Sequence, residues 1–176
     1  MIDDYTKSLV NKYKPKGILV DTNILILWVV GSANPQMISK FSRTKQFKIE
    51  DYRVLVRILA SFSKIVTTPN VLTEVSNLMV KDIKGNELSK CFAKLAEALS
   101  TEALIKLEEY YVESCIITRI NKISNFGLTD CGILELARNR YLVLTDDSKL
   151  AEYLQGSDVD TINFNYIRNF SRTSNN

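Results

Sequence analysis

The chain contains no histidine. That absence removes Ser-His and Cys-His nucleophiles, imidazole acid–base pairs and histidine-bound zinc. Cysteine is scarce: Cys91, Cys115 and Cys131 are odd in number, widely spaced and form no C-x-x-C pair. They fit reduced thiols in a cytosolic protein and speak against a zinc site or a disulfide framework. Glycine-rich phosphate loops are missing as well, since neither G-x-x-x-x-G-K-[ST] nor G-x-G-x-x-G occurs. The longest apolar run, Ile24 to Val30, is far below the roughly 20 residues that span a bilayer. The start of the chain carries Asp3 and Asp4 and no apolar signal region, so a cytoplasmic location is expected.

What remains is ordinary globular material. A chain of 176 residues, 45% hydrophobic and 24% charged, can bury a real core. One domain over residues 1–176 is expected, with a helical segment at about 81–127 and a flexible tail from about 171. The net charge of +3 neither demands nor repels a nucleic acid. Its distribution is uneven: no acidic residue lies between Asp21 and Glu50, while Lys40, Arg43, Lys45 and Lys48 fall there. These four are candidates for contacting RNA phosphates, set against the commoner role of a solvated loop.

Strand-like runs alternate with helical patterns, the signature of a parallel sheet with crossover helices. Expected strands are Ile18–Asp21, Ile65–Thr67, Ala103–Leu107, Tyr141–Leu144 and a short Thr161–Phe164. Expected helices are Asn23 to about Val30, broken by Gly31 and Pro35, then Glu50–Phe62 and a helix opened by Thr68-Pro69. Further helices are read at Glu87–Leu99, at about Tyr111–Lys122, at Asp130–Arg138 behind a turn at Asn125-Phe126-Gly127 and a Thr129 cap, and at Ser148–Leu154. The fold class is therefore α/β, a twisted parallel sheet of four to five strands flanked by helices in a three-layer sandwich.

Acidic residues sit at telling places in this order. Asp21 and the pair Asp146/Asp147 follow two apolar strands, so they belong at one rim of the sheet. Asp130 shares a helix face with Ile133, Leu134 and Ala137, and Glu74 lies at the margin of the stripe formed by Val71, Val75 and Leu78. Clustered carboxylates repel and their pKa values rise unless a cation intervenes. With oxygen ligands alone, Mg²⁺ or Mn²⁺ is the natural partner, and such a site activates water against a phosphodiester without histidine.

The string Val20-Asp21-Thr22-Asn23 resembles the opening motif of PIN-domain ribonucleases. Glu74 within Leu72–Val75, Asp130 within Leu128–Asp130 and Asp147 within Leu144–Asp147 match that family's later stations in order, over roughly residues 17–164. The resemblance implies metal-dependent cleavage of RNA, with Asp21, Glu74, Asp130 and Asp147 as catalytic metal ligands and Asp146 as the substitute for Asp147. Asn23 and Thr145 resemble the family's polar supports. Many single-domain members are homodimeric toxins held silent by a small antitoxin, which makes a toxin–antitoxin role an expectation here.

Other readings stay open on the sequence. A catalytically silent RNA-binding or scaffold module keeps the fold but has no need of the full acid set. A structure-specific DNA nuclease is related to the same fold. A phosphatase of the haloacid-dehalogenase type also begins at a strand-end Asp, yet needs a second Asp two places on, where this chain has Asn23.

Overall fold

A computed structural model describes residues 3–103 and 105–173. The element order is α1 (Asp4–Tyr13), β1 (Ile18–Val20), α2 (Thr22–Ala33), α3 (Ile49–Leu59), β2 (Ile65–Thr67), α4 (Pro69–Asp82) and α5 (Gly85–Leu99). Then follow β3 (Leu107–Glu109), α6 (Ser114–Ile117), α7 (Ile123–Ala137), β4 (Leu142–Thr145), α8 (Ser148–Gln155), β5 (Thr161–Asn163) and α9 (Phe164–Thr173). The five strands form one sheet in the order β3-β2-β1-β4-β5. Every pairing is parallel. Helices flank the sheet, giving the three-layer α/β sandwich that the alternation predicts. Among the described residues no helix is long and apolar enough to cross a membrane.

The central strands are buried along their whole length, as continuous apolar runs in a doubly covered parallel sheet must be. Behind β1 lies α2, which buries Ile24 to Gly31 without interruption. A helix apolar on all sides belongs inside the protein, and here α3, α4 and α5 pack around it. The sequence suggested a break at Gly31, but the helix runs on to Ala33. A Cβ at Gly31 would lie 2.3 Å from the Tyr52 ring, so this glycine permits close approach of α3.

Several other elements differ from the sequence reading. The third strand is Leu107–Glu109, displaced to the C-terminal side of the expected Ala103–Leu107, because pairing with β2 sets Leu107 opposite the buried Ile65; Leu104 lies outside the described residues. The expected helix over Tyr111–Lys122 shrinks to the single turn of α6 followed by further turns. Helix α7 starts at Ile123 and carries a break at Gly127, whose φ of 73° suits glycine, so Thr129 lies inside the helix where a cap was expected. Phe164 leaves the last strand to open α9, and the tail expected from Ser171 is helical in backbone to Thr173; residues 174–176 lie outside the described residues.

The basic segment after α2 is a packed loop. Ile38, Phe41, Thr44 and Phe47 turn inward at every third position and are buried, while Lys40, Arg43, Lys45 and Lys48 point outward. Thr44 Oγ1 closes the loop by donating to the Ile38 carbonyl at 2.7 Å.

Candidate metal centre

The strand order places β1 between β2 and β4, so the chain builds outward on one side and then returns to build on the other. Ligands of open parallel sheets bind at such a reversal, outside the carboxyl ends of the strands. Asp21 follows β1 and Asp146 follows β4, and the two ends are tied by the Asp21 N–H donating to the Leu144 carbonyl at 3.2 Å. The two acids thus face the crevice that the topology opens.

Asp21 is 5% exposed. Its Oδ1 accepts the Ile24 N–H at 2.9 Å and caps α2. Its Oδ2 accepts a short hydrogen bond from Thr145 Oγ1. Burial, reinforced by the neighbouring Asp146 carboxylate, pushes Asp21 up to about 8 despite these two donors. Thr145 in turn accepts the Asp147 N–H at 2.9 Å, which fixes the turn after β4.

That turn separates the two adjacent acids. Asp146 is 9% exposed; its Oδ1 accepts from Asn23 Nδ2 at 3.1 Å and its Oδ2 from Gln46 Nε2 at 2.7 Å. Burial raises its pKa in spite of the Asn23 hydrogen bond. Asp147 is exposed, and its Oδ1 caps α8 by accepting the Lys149 and Leu150 N–H groups at 2.8 and 3.1 Å. Asp146 is therefore the acid turned toward Asp21, while Asp147 holds the start of a helix from the rim.

Asp130 projects from the first turn after the Gly127 break, beside buried Ile133 and Leu134. It is half-buried and has no hydrogen-bond donor or ion-pair partner among the described residues. Burial, then the Glu74 and Asp147 charges, push it up to about 6. Glu74 is exposed on α4, and its Oε2 accepts from Thr22 Oγ1 at 2.9 Å. None of the five acids takes part in a salt bridge among the described residues.

These acids influence one another across a single rim, yet they are not gathered tightly. Among the described residues no group of three Asp, Glu or Cys side chains could hold a metal ion as it stands. The donor chemistry fits a hard divalent cation: the candidate ligating atoms are all oxygens, and the Asp130 carboxylate lacks a donor among the described residues. At the neighbouring end of β2, Thr67 Oγ1 is also buried without a hydrogen-bond partner among those residues.

Several residues at this rim went unnoticed in the sequence. Thr22 lies inside the V-D-T-N string, and its reach to Glu74 runs between two helices, where no spacing rule reveals it. Gln46 sits among basic residues that stay at the surface. Asn165 donates from Nδ2 to the Asp146 carbonyl at 2.6 Å, and Arg168 Nη1 donates to the Gln46 carbonyl at 2.8 Å. The cysteines stand apart from all this: Cys91 and Cys131 are buried, Cys115 is exposed, and all are free. Compared with known protein families, with curated proteins and with solved structures, the chain gives no match.

Proposed function

We propose that this chain is a divalent-metal-dependent endoribonuclease of the PIN-domain type. The observation that supports it most is the set of carboxylates at the β1/β4 crevice, raised in pKa by burial and by one another, with no salt bridge to any of them among the described residues. A protein that keeps buried acids unpaired destabilises itself unless a ligand compensates. Asp21, Asp130 and Asp146, with Glu74 at the margin, are the residues that hold Mg²⁺ or Mn²⁺ in this reading. Bound there, such an ion supplies a more acidic water and positive charge against the phosphodiester oxygens.

The chain's own residues set the orientation. Thr145 fixes the Asp21 carboxylate, Asn23 fixes that of Asp146, and Thr22 fixes Glu74. Asp147 adds negative charge beside Asp130 while it caps α8. Lys40, Arg43, Lys45 and Lys48 are exposed on the loop whose Gln46 reaches Asp146, and they are the side chains assigned to RNA phosphates in this reading. The resemblance also supports a toxin silenced by a small antitoxin in the cytoplasm and assembled as a homodimer.

The test is to incubate purified protein with structured RNA and Mn²⁺, with and without EDTA, and to repeat with Asp21→Asn. Cleavage that EDTA abolishes and that falls by roughly 100-fold or more in the variant is expected, beyond the loss usual for a merely supporting residue. Cleavage indifferent to both contradicts the proposal.

A further inference from the structure

We infer that Gln46 is a positioning residue for the Asp146 carboxylate, and that Arg168 braces it from α9. The inference rests on the metal-site reading above and deepens it. Three neutral amides surround Asp146: Asn23 on Oδ1 at 3.1 Å, Gln46 on Oδ2 at 2.7 Å and Asn165 on the main-chain oxygen at 2.6 Å. Each donor comes from a different element, namely α2, the packed basic loop and α9. A neutral N–H restricts how a carboxylate can turn and leaves its charge available to a cation. A lysine or arginine in the place of Gln46 would instead neutralise that charge.

The Arg168 charge acts on Asp146 and favours its ionised form, but the guanidinium directs its hydrogen bonds to other groups. Its Nε donates to Asn165 Oδ1 at 2.8 Å and its Nη1 to the Gln46 carbonyl at 2.8 Å. Its central carbon lies 5.0 Å from the centre of the Phe47 ring, and Phe47 packs on Phe164 with ring centres 6.0 Å apart. Both phenylalanines are fully buried. The guanidinium therefore ties the backbone of the loop to the amide of α9, and the residues it ties both hold Asp146. Hydrogen-bonding partners of metal-bound carboxylates act in this way, and losing one typically weakens metal affinity by about 10–100-fold.

The test is calorimetric titration of the RNA-free full chain with MnCl₂, using wild type, Gln46→Ala, Gln46→Met and Arg168→Ala. Gln46→Met keeps the length of the side chain and removes its N–H. We expect Mn²⁺ affinity to fall about 10-fold or more in both Gln46 variants and to fall in Arg168→Ala. Thermal unfolding of the Gln46 variants in EDTA should match wild type, since Gln46 is exposed and contributes little packing. In RNA cleavage the same variants should lose kcat with little change in KM, because the role assigned to Gln46 acts through Asp146. Wild-type affinity in Gln46→Met, or a loss matched by general destabilisation, overturns the inference and leaves the metal site standing. Failure of the wild type to take up Mn²⁺ overturns the metal reading as well, so the two failures are distinct.

Discussion

Asp21 serves the backbone and the crevice at once, with Oδ1 capping α2 and Oδ2 held by Thr145. Its carboxyl and that of Asp130 are held up to about 8 and about 6, well above the ordinary value of 3.8. The folded protein therefore binds these protons more tightly than the unfolded chain. The stability they contribute is complete below about pH 4 and is lost as pH rises through about 6 and then about 8. Without metal, the contribution of these two acids to Tm should fall between about pH 4 and about pH 8. Asp21→Asn retains a capping side chain and removes the buried charge, so it should flatten the alkaline part of that fall. At about pH 9 it should stabilise the metal-free protein by on the order of 2 kcal/mol, or about 4–8 °C in a domain of this size. Excess Mn²⁺ should reverse the ranking, since a ligand that binds only the folded state raises its stability. Calorimetric scans in EDTA and in Mn²⁺ check both statements, and a Tm indifferent to the substitution contradicts them.

At the scale of elements, α2 is the part on which the crevice depends, because it carries Asp21 at its cap and Asn23 in its first turn. Gly31 lets Tyr52 of α3 lie directly on it. Gly31→Ala improves helix propensity yet drives a Cβ into the Tyr52 ring, and should cost about 1–3 kcal/mol in urea unfolding. Combining it with Tyr52→Ala should recover part of that loss, as two residues in contact are not additive. The sequence announced α2 through its apolar run and β1 through Ile18–Val20 before an acid, and it placed Thr68-Pro69 at the start of α4. It missed α1, whose burial is confined to Thr6, Leu9 and Tyr13 on an otherwise polar helix. The neighbours Asp146 and Asp147 were indistinguishable in sequence, because a single turn decides which one faces inward. Gln46 and Arg168 were invisible for a different reason: their role exists only once the loop and α9 meet over Phe47 and Phe164.

Across the whole molecule, a small positive charge of +3 coexists with several carboxylates spread along one rim of the sheet. Lys40, Arg43, Lys45 and Lys48 are exposed on the loop over residues 40–48, which makes them the cations to test for RNA phosphate contact in the proposed nuclease. Replacing Lys40, Arg43, Lys45 and Lys48 with alanine in an Asp21→Asn background should weaken RNA binding. The slope of log affinity against log salt should flatten by about 0.7 for each phosphate that the protein no longer neutralises. Fluorescence anisotropy with single-stranded RNA at several salt concentrations measures this, and an unchanged slope removes the loop from the binding surface.

Crystals grown with Mn²⁺ and measured at the manganese absorption edge would locate the bound ion. An anomalous peak is expected in the crevice between the ends of β1 and β4, within coordination distance of the Asp21, Asp130 or Asp146 carboxylates. Manganese found elsewhere, with those acids still apart and unligated at saturating metal, would contradict the metal-site reading.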